Sequence, residues 1–243
     1  VTAVVVGASS GLGRALATEL ARRGSGLLLV ASDARDVEAL AADLGIRYGI
    51  AVRTLAIDLA RAPDPGGAVA AALAELPPPS VLLLAAGWSR VDDAFGLDAV
   101  RIGQLLAVNL HAPLAIVHAL LPALREARGT VVLFGSIAAV RGRGRNVVYA
   151  GAKRALESLY ESLRQAYGPH ELHVQLYRLG FLATNLTHGL ALPLAPSEPA
   201  SVARIVAGRI GGRSGRWTVP RRFALLAGIV RWLPWPLYRR MRG

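Results

Sequence analysis

A strand, a glycine turn and a helix follow one another at the start of the chain, and that order restricts the fold more than any other feature. Val1 to Val6 is apolar except for Thr2, too short for a buried helix and suited to a strand covered on both faces. Gly7-Ala-Ser-Ser-Gly11-Leu-Gly13 follows at once, and Arg14 to Arg23 then has helical spacing with Leu16 and Leu20 on one side. Gly7 permits a tight turn, Gly11 lets backbone approach a pyrophosphate, and Gly13 lets the helix close on the strand. Such a unit belongs to an α/β architecture, a doubly wound parallel sheet with helices on both faces.

The rest of the chain repeats the alternation. Apolar strand runs are expected at 26–31, 50–57, 81–84, 129–134, 172–177 and 217–219, with helices at 36–44, 68–76, 100–124, 148–167 and 197–210. About seven parallel strands are expected in a single Rossmann-like domain over residues 1–220, leaving a C-terminal extension over 221–243.

The chemical signal lies in the helix at 148–167. Tyr149 and Lys153 are four residues apart, so they stand on one face one turn from each other. Lys153 is the sole lysine of the chain, whose other 27 basic residues are all arginine. A neighbouring ammonium favours phenolate and is expected to lower the tyrosine pKa from about 10, fitting Tyr149 to exchange a proton with an alcohol or ketone oxygen. Ser136, at the end of the strand carrying Val131 to Phe134, would bring a hydroxyl into the same pocket.

The spacing G-x-x-x-G-x-G, with Ser136, Tyr149 and Lys153 in order behind it, resembles the short-chain dehydrogenase/reductase family, in its compact single-domain branch. The resemblance spans residues 1–220 and implies an NAD(P)(H)-dependent oxidoreductase that interconverts a ketone and a secondary alcohol. Ser136 would hold the substrate oxygen, Tyr149 would exchange its proton, and Lys153 would tune the phenol and bond the cofactor ribose. Asn109 would carry a water on its carbonyl at a bend of its helix. The resemblance also places Gly7, Ser9, Ser10, Gly11, Leu12, Gly13, Ser32, Asp58, Leu59, Ala86, Gly87, Tyr149, Lys153, Leu182 and Thr184 against the cofactor.

Several positions depart from the family pattern. Val6 replaces a threonine, Leu84 and Ala85 replace two asparagines, and Leu179 replaces a proline, which is expected to loosen the following turn. At the end of the second strand Ala31 and Ser32 satisfy neither the acidic rule for NAD nor the basic rule for NADP. Ser32 with charge from Arg14 or Arg35 favours NADP(H) over NAD(H), against the opposing carboxylate of Asp33. These departures keep an alternative open: a catalytically silent nucleotide-binding sensor or membrane-associated partner protein. The family also implies a homodimer or homotetramer.

Charge separates the two parts of the chain. The net charge is +12, yet the 45 residues after Glu198 hold ten arginines and no acid. Within them Phe223 to Val230 is apolar, and Trp232, Trp235 and Tyr238 alternate with arginine and proline. The run is shorter than the ~20 residues that span a bilayer. Its composition suits peripheral contact with a membrane through 221–243; packing of 223–230 on the body or on a partner subunit is the competing expectation. Nucleic acid is not expected, since no basic face elsewhere supports it.

With no cysteine there is no disulfide framework and no thiolate metal site, and no metal is expected; His111 and His118 read as packing or surface residues. No secretory leader is expected either, so the sequence reading places the protein in the cytoplasm, peripheral on the inner membrane surface if the extension binds lipid. Residues 185–200, rich in Leu, Pro and Ala, are expected to form a lid. A small hydrophobic carbonyl or alcohol, with an acyl, steroid-like or polyketide-like body, is the expected substrate.

Overall fold

A computed structural model describes residues 2–90, 93–184, 187 and 194–241. Seven strands form one parallel sheet among them: β1 (Thr2–Val6), β2 (Gly26–Ala31), β3 (Val52–Ala56), β4 (Pro79–Leu84), β5 (Thr130–Ser136), β6 (His173–Leu179) and β7 (Gly215–Val219). The order across the sheet is β3-β2-β1-β4-β5-β6-β7. The chain therefore winds outward from β1 in both directions, and the β1–β4 junction is the switch point where a crevice opens at the strands' carboxyl ends.

The helices are α1 (Gly11–Arg22), α2 (Ala34–Tyr48), α3 (Pro65–Ala72), α4 (Ala99–Leu106), α5 (Ala112–Glu126), α6 (Val147–Ala166), α7 (Pro199–Ala207), α8 (Arg222–Trp232) and α9 (Trp235–Tyr238). Because side chains alternate across a strand, Ala3 and Val5 enter one core layer with Leu16, Leu20, Val202 and Val206. Val4 and Val6 enter the other with Ile116, Leu120, Tyr160 and Leu163. A strand buried on both faces needs a nearly continuous apolar run, which Ala3 to Val6 supplies in β1.

Three local differences from the sequence expectations have simple causes. β4 begins at Pro79, two residues before the expected 81, a first-residue position that the missing N–H allows. The helix expected at 100–124 is divided by a π-helical turn at Ala107–His111, which widens the backbone around Asn109. Leu179 does not loosen its turn: it extends β6, lies opposite both Ser136 and Val219, and is followed by a Gly180 N–H bonded to Val219 O at 3.0 Å.

The helical run Ala99–Glu126 is long and apolar enough to cross a membrane by length and composition. Its Leu105, Ile116, Leu120 and Leu124 are fully or almost fully buried in the body. Half of the expected lid, residues 185, 186 and 188–193, lies outside the described residues.

Candidate active site

The crevice has a volume of about 630 Å³ and is lined from both halves of the sheet. At its floor the glycine turn is held by backbone geometry. Gly7 has φ +86°, and a Cβ there would come within 2.6 Å of Ala86 backbone. A Cβ on Gly13 would lie 1.9 Å from the Gly7 carbonyl oxygen, so helix and strand approach as only glycine permits. Ser10 occupies the N-cap position of α1 without a side-chain cap hydrogen bond, and the first turn holds no acid. The free N–H groups and the positive end of the helix dipole there suit a pyrophosphate.

Of the residues assigned to the cofactor by sequence, Gly7, Ser10, Gly11, Leu12, Gly13, Ser32, Asp58, Leu59, Ala86, Gly87, Tyr149, Lys153, Leu182 and Thr184 line the crevice. Ser9 is not among its lining residues, the one difference in that group. The charges expected to mark the ribose end also differ. Arg14 faces Asp36 at 3.9 Å, and Asp33 caps α2 by accepting from the Asp36 N–H at 2.9 Å. Arg61 lines the crevice instead, with its Nε 3.8 Å from the Asp58 carboxylate. Asp58 also serves its own turn, accepting from the Ala60 N–H at 2.9 Å.

Ser136, Tyr149 and Lys153 meet on the opposite wall. The Ser136 hydroxyl accepts from the Ala138 N–H at 3.1 Å, which fixes its oxygen at the end of β5. The Tyr149 side chain lines the crevice with it. Lys153 is buried, with Nζ 5.9 Å from the Tyr149 ring centroid. A Cβ on Gly87 would lie 3.5 Å from both Lys153 Nζ and Asn109 Oδ1, so these groups gather around that glycine.

Asn109 is fully buried and clamps the exit of β4. Its Nδ2 donates to Trp88 O at 2.6 Å and Leu105 O at 3.0 Å, while Oδ1 accepts from Trp88 N at 3.2 Å. That clamp fixes the backbone over which Gly87 and Trp88 enter the crevice.

The electrostatics correct the expectation for the phenol. Burial pushes the Tyr149 pKa up, opposed by the hydrogen bond from Ser136. The same burial pulls Lys153 down, from 10.5 to about 8. Where they pack into the crevice wall both charged forms lose hydration, and this outweighs the attraction that the four-residue spacing alone suggests. The phenol is accordingly held in its protonated form, beside a hydroxyl and a cation.

The family model for short chain dehydrogenases matches residues 1–193. The chain belongs to the short-chain dehydrogenase family. It is thus an NAD(P)-dependent dehydrogenase/reductase. An uncharacterized oxidoreductase of Mycobacterium tuberculosis is 29% identical over 240 residues, covering 98% of this chain and 96% of that protein. The 3-oxoacyl-[acyl-carrier-protein] reductase of Escherichia coli is 26% identical over 211 residues, 86% of this chain and 84% of its own. A short-chain dehydrogenase from Sphingobium yanoikuyae, solved in complex with NADPH, is 27% identical, with a TM-score of 0.83 over 100% of this chain and 96% of its own.

The structure of this short-chain dehydrogenase also brings in a residue that spacing could not reveal. Asp93 is fully buried, and its carboxylate accepts from the N–H groups of Val148 at 2.9 Å and Tyr149 at 2.8 Å. Its own carbonyl accepts from Val147 N–H at 3.1 Å. Asn146, the N-cap residue of α6, makes no side-chain cap bond, so Asp93 caps the tyrosine helix from 55 residues away. A negative charge at that helix end is favourable in itself. Asp93→Ala would leave two N–H groups without a partner, at about 1–3 kcal/mol. Displacing Tyr149 by about 1 Å would lower kcat by up to ~10²-fold. Cofactor affinity should hold, because the glycine turn is untouched; turnover and cofactor titration on one preparation separate the two effects.

Proposed function

We propose that the chain interconverts a hydrophobic ketone and its secondary alcohol with NADP(H). The observation that carries this reading is the crevice wall on which Tyr149, Ser136 and Lys153 converge. When bound, the nicotinamide supplies the hydride.

Ser136 would donate a hydrogen bond to the carbonyl oxygen, its own oxygen being held by the Ala138 N–H. Tyr149, kept protonated by burial, would pass its proton to that oxygen as negative charge develops there. Lys153 would stabilise the phenolate left behind and reach the ribose. Asn109 would fix the β4 exit beside them. A phenol held neutral is the form that the reductive direction requires.

The cofactor would lie with its pyrophosphate on the glycine turn and the open end of α1, and with its adenine ribose toward Ser32, Asp58 and Leu59. Arg61 favours NADP(H), as a guanidinium suited to a ribose phosphate, and Asp33 is engaged in capping α2. The NADPH complex of the Sphingobium relative agrees with this choice.

Trp88, Val108, Ile137, Leu179, Phe181 and Leu182 give the crevice an apolar wall, and the Escherichia coli relative is a 3-oxoacyl reductase. Both favour a carbonyl on an acyl chain or similar apolar body. A homodimer or homotetramer fits the exposed Leu106 and Leu114 on the outer side of α4 and α5. Titration with NADPH and NADH should give at least a tenfold difference, about 1.4 kcal/mol, in favour of NADPH. A panel of 3-oxoacyl thioesters and cyclic ketones should then consume it. Equal affinities would remove the cofactor choice, and no turnover with any ketone would favour the silent nucleotide-binding reading.

A further inference from the structure

The extension that follows β7 is divided by its own helix geometry into a docked face and a free one. Phe223 and Ala227, four apart on α8, are buried. The Phe223 ring stands edge-on to Phe181 at 5.6 Å and fills the space where a Gly180 Cβ would be. Burial of that ring ties the helix to the body. Further along, Arg141 donates to the carbonyls of Val230 and Leu233 and stacks on Tyr238 at 4.1 Å. Tyr238 donates to Gly142 O at 2.6 Å. The expectation of packing on the body is therefore met for one face, and the other remains to be explained.

The free face carries Leu225, Ile229 and Trp232, which are 74%, 55% and 80% exposed and follow helical spacing along α8. Trp235 and Leu237 of α9 continue it, at 62% and 50%. Arg221, Arg231, Arg239 and Arg240 are exposed around these apolar residues. No acidic residue follows Glu198 to offset them. Eleven residues of helix reach only about 16 Å, so α8 cannot span a bilayer.

We infer that the outer face of α8 and α9 seats the protein on an anionic bilayer surface, with the apolar side chains in the headgroup boundary and the arginines against lipid phosphates. An acidic protein partner would match the charge, but it would not call for two exposed tryptophans at the rim of an aliphatic stripe; an interfacial seat does. The inner face of the same helix rests on Phe181 and Gly180, which line the crevice, so the seat adjoins the crevice wall. The seat is independent of which carbonyl the crevice accepts.

Co-sedimentation of the full chain with phosphatidylcholine vesicles, with and without roughly one-third phosphatidylglycerol, tests this. Binding is expected to the anionic vesicles only, with a blue shift of tryptophan emission and loss at ~0.5 M salt. The variant Leu225→Ser/Ile229→Ser/Trp232→Ser removes only outward side chains, so it should keep its melting temperature and cofactor affinity while vesicle binding falls tenfold or more. Arg239→Ser/Arg240→Ser should weaken binding to anionic vesicles without changing the fold. Absence of binding at low salt, or binding unchanged in the triple variant, overturns the inference. So does a wild-type dimer that the triple variant dissociates and that ignores vesicles, for then the face joins two copies of the chain.

Discussion

Tyr149→Phe should lower turnover by about 10²–10⁴-fold while leaving cofactor affinity within about twofold of the wild type. The substitution removes one oxygen and keeps the ring, so the crevice retains its shape. Ser136 keeps its bond from the Ala138 N–H, and its hydroxyl is not left without a partner. The capping of α6 by Asp93 runs through backbone N–H groups and is indifferent to the side chain at 149. Only the proton exchanged with the substrate oxygen is lost. Parallel measurement of kcat, cofactor titration and melting temperature checks the result. A phenylalanine variant that turns over at the wild-type rate would mean that another group supplies the proton, and the reductase chemistry assigned to this wall would have to be abandoned.

Lys153→Met should lower activity by a comparable factor and, unlike most active-site changes, raise stability. Burial draws the Lys153 pKa from 10.5 to about 8. Between those values the unfolded chain holds a proton that the native protein lacks, so native stability rises with pH across that window. Below about pH 8 the full cost of the buried ammonium is present, on the order of 3 kcal/mol from a depression of this size at about 1.4 kcal/mol per unit. Methionine fills a similar volume without the charge. The cofactor-free variant is expected to melt several degrees higher at pH 7 and to lose the rise in stability between pH 8 and 10.5. Denaturant titration of both proteins at a series of pH values measures this; a variant less stable at pH 7, with the pH slope unchanged, would show that the ammonium is not under strain in the fold. The costly lysine is retained because the proposed chemistry needs a cation beside the phenol, a trade of stability for activity.

Much of the architecture could be read from pattern. Runs such as Val1 to Val6 and Val131 to Phe134 are apolar without alternation, which only strands covered on both faces tolerate, and helical spacings separate them. The boundaries moved where backbone bonding, not side-chain period, sets them: Leu179 stays in β6 because its neighbours Ser136 and Val219 continue the ladder. Arg61 lies in the loop after β3, far along the chain from the end of β2, and only the fold brings it to the crevice. Nothing in local spacing connects Asp93 to a helix that begins 54 residues later, at Val147.

The sequence by itself determined the order of strands and helices, the glycine turn, and the placement of Tyr149 and Lys153 on one helical face, since all of these depend on neighbours along the chain. Tertiary structure alone decided what those groups experience. It buried the ammonium and half-buried the phenol, reversing the expected pKa direction for Tyr149, and brought Asp93 and Arg61 to places no spacing could show. It also laid Phe223 inward and Trp232 outward on the same helix. The physical reason is that hydration and burial depend on everything packed around a group, and that surrounding is assembled from segments far apart in the chain.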